Sequence, residues 1–164
     1  MTPADMVLTP MGLRFGGRVF PCSIGRGGLT NHKREGDGAT PRGVHRITGL
    51  MFRPDRMARP NRWARAIGPR DLWSDDSDDP LYNSLVRAPH EFSHECLRRS
   101  DPLYDLILLT DWNNPDARPG SGSAIFMHQW RRPGYKTEGC VALDRVHLHR
   151  IASQLYKGTR LIIA

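Results

Sequence analysis

The chain has 164 residues, of which 38% are hydrophobic and 25% charged, enough for one domain that buries about two-thirds of its unfolded surface. The 16 glycines and 13 prolines favour a turn-rich, mainly β plan over a helical bundle, and no run approaches the ~20 apolar residues of a membrane helix, so no membrane span is expected. The net charge of +7 is carried mostly by arginines spread through 14–70, 87–99 and 131–160 rather than in a tail, which is compatible with nucleic acid, an anionic membrane surface or a cell-wall polymer and equally with a solvated basic surface.

In chain order, 6–9 (MVLT), 13–15 (LRF) and 18–24 (RVFPCSI) read as short strands at hairpin spacing, with Pro21 marking an edge or a bulge. The first fifteen residues hold no basic segment followed by an apolar core, so no signal peptide is read there. A glycine-rich loop from Gly25 to Gly43 follows; its spacing fits neither a Walker loop nor GxGxxG. Val44 to Phe52 returns to strand character. Trp63 lies among arginines, where packing on the sheet is preferred to stacking on a nucleobase, and no nucleic-acid partner is expected. The aspartates between Asp71 and Asp79 lack the EF-hand order and read as a solvated acidic loop. Two alike stretches, Asp79-Pro80-Leu81-Tyr82-Asn83 and Asp101-Pro102-Leu103-Tyr104-Asp105, read as turns that seat a tyrosine against the core.

His90-Glu91-Phe92-Ser93-His94 matches HExxH, which on a helix would put two zinc-ligating imidazoles on one face with Glu91 beside a water. The sequence before it, Arg87-Ala88-Pro89, is not the apolar helix such motifs need, and no third ligand follows at metzincin spacing. No metal and no cofactor is therefore expected. A short surface helix beside a groove, with His94 reaching substrate, is the preferred reading. Tyr104 to Thr110 is a central strand, apolar on both faces.

The chemistry concentrates between Ser123 and Leu143. The apolar run Ala124 to Met127 is a short strand ending on His128, and a loop with Trp130, Arg131, Arg132, Pro133, Gly134 and Tyr135 leads to Thr137-Glu138-Gly139-Cys140. Cysteine attacks as a thiolate, which a nearby imidazole can generate and hold as an ion pair. Gly139 and Cys140 offer backbone N–H groups to an oxyanion, Gly139 lacking the Cβ that would block approach. Asp111, Asn113 or a backbone carbonyl are the candidates to orient His128. Beyond Cys140, Asp144 caps a helix from Arg145 to about Tyr156 that buries Val146, Ile151 and Leu155 with Leu148 at the border; Thr159 to Ile163 is a last strand. Of the three cysteines, Cys22 and Cys96 can pair in an oxidising compartment and leave Cys140 free.

The IFMH run, a loop with Pro and Gly, and T-x-G-C-V-A-L together resemble the active-site signature of the L,D-transpeptidase catalytic domain, in its shorter-loop branch. Gly36-Asp37-Gly38-Ala39-Thr40-Pro41-Arg42-Gly43 resembles that family's G-x-x-x-T-P-x-G turn. The resemblance implies one catalytic domain over 1–164, a β-sandwich or barrel-like fold with a few short helices, and a Cys140 nucleophile with a His128 base. It also implies peptidoglycan stem peptides as donor and acceptor, with Thr137, Tyr135, Arg131 and Trp130 as substrate contacts, in the periplasm or cell envelope. The family's usual Arg two residues after the cysteine is Ala142 here. Transfer to an amine, hydrolysis by a carboxypeptidase or amidase relative, zinc peptidase chemistry at His90 and His94, and a non-catalytic wall-binding module all stay open at this point.

Overall fold

The structure, a computed structural model, describes residues 2–164. Strands β1 (Met6–Thr9), β2 (Gly12–Phe15) and β3 (Arg18–Phe20) form an antiparallel meander. Pro21 has no N–H for a ladder and divides the predicted third run, so β4 (Cys22–Ser23) starts afresh. The glycine-rich loop holds a short parallel pair, β5 (Leu29–Thr30) and β6 (Thr40–Pro41), and opens into the long β7 (Gly43–Phe52). After β8 (Arg65–Ala66), a separate three-stranded sheet is built from β9 (Asp71–Ser74), β10 (Leu85–Arg87) and β11 (His94–Cys96). The last strands are β12 (Leu106–Thr110), β13 (Phe126–Gln129), β14 (Val141–Leu143) and β15 (Arg160–Ile163), with α1 (Arg145–Gln154) before β15.

The main sheet runs β3-β2-β1-β15-β7-β12-β13-β14-β4, with β8 also pairing β7. Its two ends, β3 and β4, are neighbours in sequence across Pro21, so the sheet curls into a nearly closed barrel. The fold is mainly β, as the composition indicated. Closure removes most of the exposed edge that an open sheet would leave.

Strand alternation sorts the side chains into two cores. Leu106 and Leu108 of β12 join Met6, Leu13, Ile47, Leu50 and Met127 in the first, while Ile107 faces the second with Met51, Trp73, Tyr104 and Phe126. Each such aliphatic side chain, fully buried, contributes about 1.5–3 kcal/mol. The helix closes the first core through Leu148, Ile151, Ala152 and Leu155, and Asp144 accepts from the Val146 N–H as its N-cap. Val146 itself is exposed, contrary to expectation: at helical periodicity it lies roughly opposite the face that carries Leu148, Ile151, Ala152 and Leu155. The Asp71–Asp79 stretch also departs from a solvated loop. Asp71 begins β9 and is buried, and buried Asp79 accepts from the Ser74 hydroxyl and bonds His90 Nε2. Cys22 and Cys96 are unpaired, one in the barrel wall and the other in the small sheet.

Candidate active site

β13 and β14 are parallel and adjacent, with Met127 opposite Val141 and His128 opposite Ala142. Parallel neighbours need a crossover, and here the loop 130–140 supplies it without a helix, which carries it over the open face of the sheet. Met127 points into the first core, so Phe126 and His128 point the other way. Cys140, two residues before Ala142, belongs to the second core with Phe126. Cys140 and His128 thus line one cavity of about 470 Å³. Ala142, fully buried between these positions, also contributes to its lining.

Both groups rest uncharged. Burial pushes the Cys140 thiol up to about 12, with the Glu95 carboxylate adding to the effect. Its Sγ donates to the Ala124 carbonyl at 3.1 Å and accepts from the Phe126 N–H at 3.4 Å. Burial likewise lowers His128 to about 4, a neutral imidazole at physiological pH. His128 Nδ1 lies 2.7 Å from the Gln129 carbonyl oxygen, which can only accept, so the proton sits on Nδ1 and the lone pair on Nε2. The orienting group is therefore a backbone carbonyl. Asp111 is instead occupied by the Arg46 N–H, and Asn113 by Arg118 and Gly122. The expected resting ion pair is replaced by a neutral thiol and a neutral base, because desolvation outweighs the opposing pull of Lys33 on the thiol and of Asp101 on the imidazole.

The glycine before the nucleophile has a different reason from the one anticipated. Gly139 has φ +141°, and a Cβ there would sit 2.9 Å from the Ala39 carbonyl oxygen and 3.1 Å from Ile125 Cδ1. Its N–H donates to Thr137 Oγ1 at 3.1 Å, so it is not free for an oxyanion. The Thr137 hydroxyl in turn donates to the Cys140 carbonyl at 2.6 Å. Thr137 therefore holds the nucleophile's backbone, in addition to lining the cavity. Trp130, Arg131 and Tyr135 also line it, Arg131 lying over the Tyr135 ring.

His94 does not join them. β11 is extended and not helical, and its alternation turns Glu95 into the cavity while His94 stays exposed with Nδ1 on the Phe92 carbonyl. The HExxH geometry fails for the same reason: no helix aligns the residues, His90 Nε2 is held by Asp79, and Glu91 is exposed. The lining residues that sequence reading missed include Glu35, Asp75, Glu95, Arg99 and Tyr104. The available signal was the paired tyrosine turns: Tyr82 and Tyr104 are both buried, and each hydroxyl donates to a cavity glutamate, Glu35 and Glu95 respectively.

The family model described as the L,D-transpeptidase catalytic domain (YkuD) matches residues 13–163. The chain belongs to this family. An L,D-transpeptidase from Mycobacterium smegmatis is a similar solved structure, with 13% identity over 97% of this chain and a TM-score of 0.46. This chain spans 57% of that one. No curated protein matches the chain. In an L,D-transpeptidase domain the Thr40-Pro41-x-Gly43 turn and the Gly139-Cys140 segment meet here physically, through Thr40 and Gly139. Among the described residues no helix is long and apolar enough to cross a membrane.

Proposed function

We propose that this domain is a peptidoglycan L,D-transpeptidase that works through a thioester on Cys140. The observation that carries the reading is the shared cavity: His128 presents an unprotonated Nε2, and the Cys140 thiol lines the same wall. The stem peptide's third-residue carbonyl enters next to Sγ. His128 Nε2 takes the thiol proton as the C–S bond forms, then returns it to the departing amine of the terminal D-alanine. Generating the thiolate only during attack fits a thiol that burial holds protonated. The Cys140 N–H, rather than that of Gly139, is the backbone donor for the oxyanion, since Thr137 occupies the latter.

A second stem's amine then resolves the thioester. Trp130, Arg131 and Tyr135 on the crossover loop form the outer wall against which the stems lie. With Ala142 at the family's arginine position, stem carboxylates meet Arg131 and Arg99 instead. On this reading the domain acts in the cell envelope, where its polymer is. No metal ion or cofactor takes part.

The test is intact-protein mass and product analysis with disaccharide-tetrapeptide muropeptides, on wild type and Cys140→Ala. A Cys140-dependent acyl adduct with D-alanine release, followed by dimers, supports the proposal. Tripeptide products without dimers would redirect it to an L,D-carboxypeptidase. A folded protein that forms no adduct and turns nothing over would sink it.

A further inference from the structure

A carboxylate beside a cysteine nucleophile opposes the thiolate, so its presence calls for a separate reason. Glu95 is such a group. It reaches the cavity of Cys140 and His128 from the three-stranded sheet, by the strand alternation that leaves His94 and Cys96 exposed. Its Oε2 accepts from the Tyr104 hydroxyl, and no protein donor bonds Oε1 among the described residues. The Tyr104 ring meets His128 edge-on at 5.4 Å, so one side chain braces both the imidazole and the carboxylate.

Among the described residues Glu95 has no ion pair, although the Arg99 charge acts on it from nearby. Arg99, the arginine nearest Tyr104, gives Nε and Nη2 to Asp101 at 2.8 and 2.7 Å. Asp75 and Glu35 line the same cavity, and their side-chain donors among the described residues are hydroxyls: Ser93 for Asp75, Tyr82 for Glu35. Burial pushes the Glu95 carboxyl up against the opposing Tyr104 hydrogen bond, with Asp75 and Glu35 adding to the rise and the Arg99 charge opposing it. Arg99, Arg131 and Lys136 line the same cavity, so it carries both signs, and Glu35, Asp75 and Glu95, none of them in an ion pair among the described residues, supply the groups suited to a positive ligand.

We propose that Glu95, held by Tyr104, binds the ammonium group of the acceptor and takes its proton, so that the free amine attacks the thioester. The inference rests on the thioester reading above. An alkylammonium has no lone pair, so one proton must leave before attack. Glu95 takes it, the amine nitrogen bonds to the acyl carbon, and the C–S bond breaks. The second proton leaves the nitrogen through His128 to the sulfur, restoring the thiol, and Glu95 later releases its own to water. Water as acceptor has no need of this carboxylate's charge, so Glu95 is the residue that favours transfer over hydrolysis.

The test uses wild type, Glu95→Gln and Glu95→Asp, each confirmed folded by circular dichroism. The acyl-enzyme is formed on a tetrapeptide stem and discharged at neutral pH with a primary alkylamine, which is cationic, or with hydroxylamine, which is uncharged. Glu95→Gln keeps an acceptor for Tyr104 and is expected to slow discharge to the alkylamine by about tenfold or more. Discharge to hydroxylamine is expected to fall far less, so the ratio of the two discharge rates drops by about tenfold, while acylation, relieved of a charge that opposes the thiolate, does not fall. Glu95→Asp is expected to recover part of the alkylamine rate. Unchanged alkylamine discharge in Glu95→Gln overturns the proposal, as does an equal fall with both nucleophiles. A wild type that forms no Cys140 adduct overturns the thioester reading itself, and this inference with it.

Discussion

Thr40 Oγ1 donates to the carbonyl oxygen of Gly139 at 2.8 Å and accepts from the Gly25 N–H at 2.9 Å. One fully buried hydroxyl thus ties the Thr-Pro turn to the residue before the nucleophile, 99 positions later. Thr40→Val keeps the shape and leaves both backbone groups unpaired in a dry site. The expected loss is about 2–4 kcal/mol of unfolding free energy. Thr40→Ser, which keeps the hydroxyl, is expected to recover most of it. Denaturant unfolding of the two variants checks this, and a Val variant as stable as wild type beside a destabilised Ser variant would show that the methyl group and not the hydroxyl matters.

Gly139→Ala examines the same junction from the other side. The residue holds φ +141°, and the added Cβ meets backbone and not a yielding side chain at Ala39. Strain of about 1–3 kcal/mol is expected, together with displacement of the Cys140 backbone. Acyl-adduct formation should then fall far more than stability does. Loss of stability with an unaltered acylation rate would separate the glycine from the site.

These two contacts also mark what sequence could carry. The barrel strands were legible because β12 is apolar on both faces, and the turns around β1, β2 and β3 are rich in glycine and proline. Cys140 and His128 were legible because their flanking residues resemble a family signature. The reason for Gly139 was not, since it lies in a carbonyl from another part of the chain. Glu95 was hidden because HExxH suggested a helix. In a helix His90 and His94 would share a face; in β11 the face belongs to Glu95. Pairing with a distant strand decided that conformation, with His94, Glu95 and Cys96 set against Ser74, Trp73 and Leu72.

His128 also makes stability depend on pH. Its folded pKa is lowered from 6.5 to about 4, so the unfolded chain binds a proton before the native one does. Stability is therefore full above 6.5 and is lost as pH falls towards 4. His45, lowered by burial, acts in the same direction, whereas Glu95, raised by burial, acts oppositely above its unfolded pKa of 4.5. Comparing wild type with His128→Gln isolates the His128 share. The variant's denaturation midpoint is expected to fall less between pH 7 and 4. Parallel curves would mean that His128 titrates normally.

The resting state of the nucleophile has its own signature in thiol chemistry. Cys96 is exposed, Cys22 is half-buried with its thiol raised by desolvation, and Cys140 is buried with its thiol near 12. Alkylation requires thiolate and access together. Iodoacetamide at neutral pH should therefore modify Cys96 first and Cys140 last, as read by peptide mass spectrometry over time. A muropeptide should nevertheless acylate Cys140 in the same buffer, because binding places a carbonyl where His128 can take the proton during attack. A cysteine–imidazolium pair already formed in the free protein would give the opposite order, with Cys140 modified fastest and its rate level from neutral pH down to protonation of the thiolate itself. That outcome would replace proton transfer during attack with a standing thiolate, and the neutral Cys140–His128 pair would have to be abandoned.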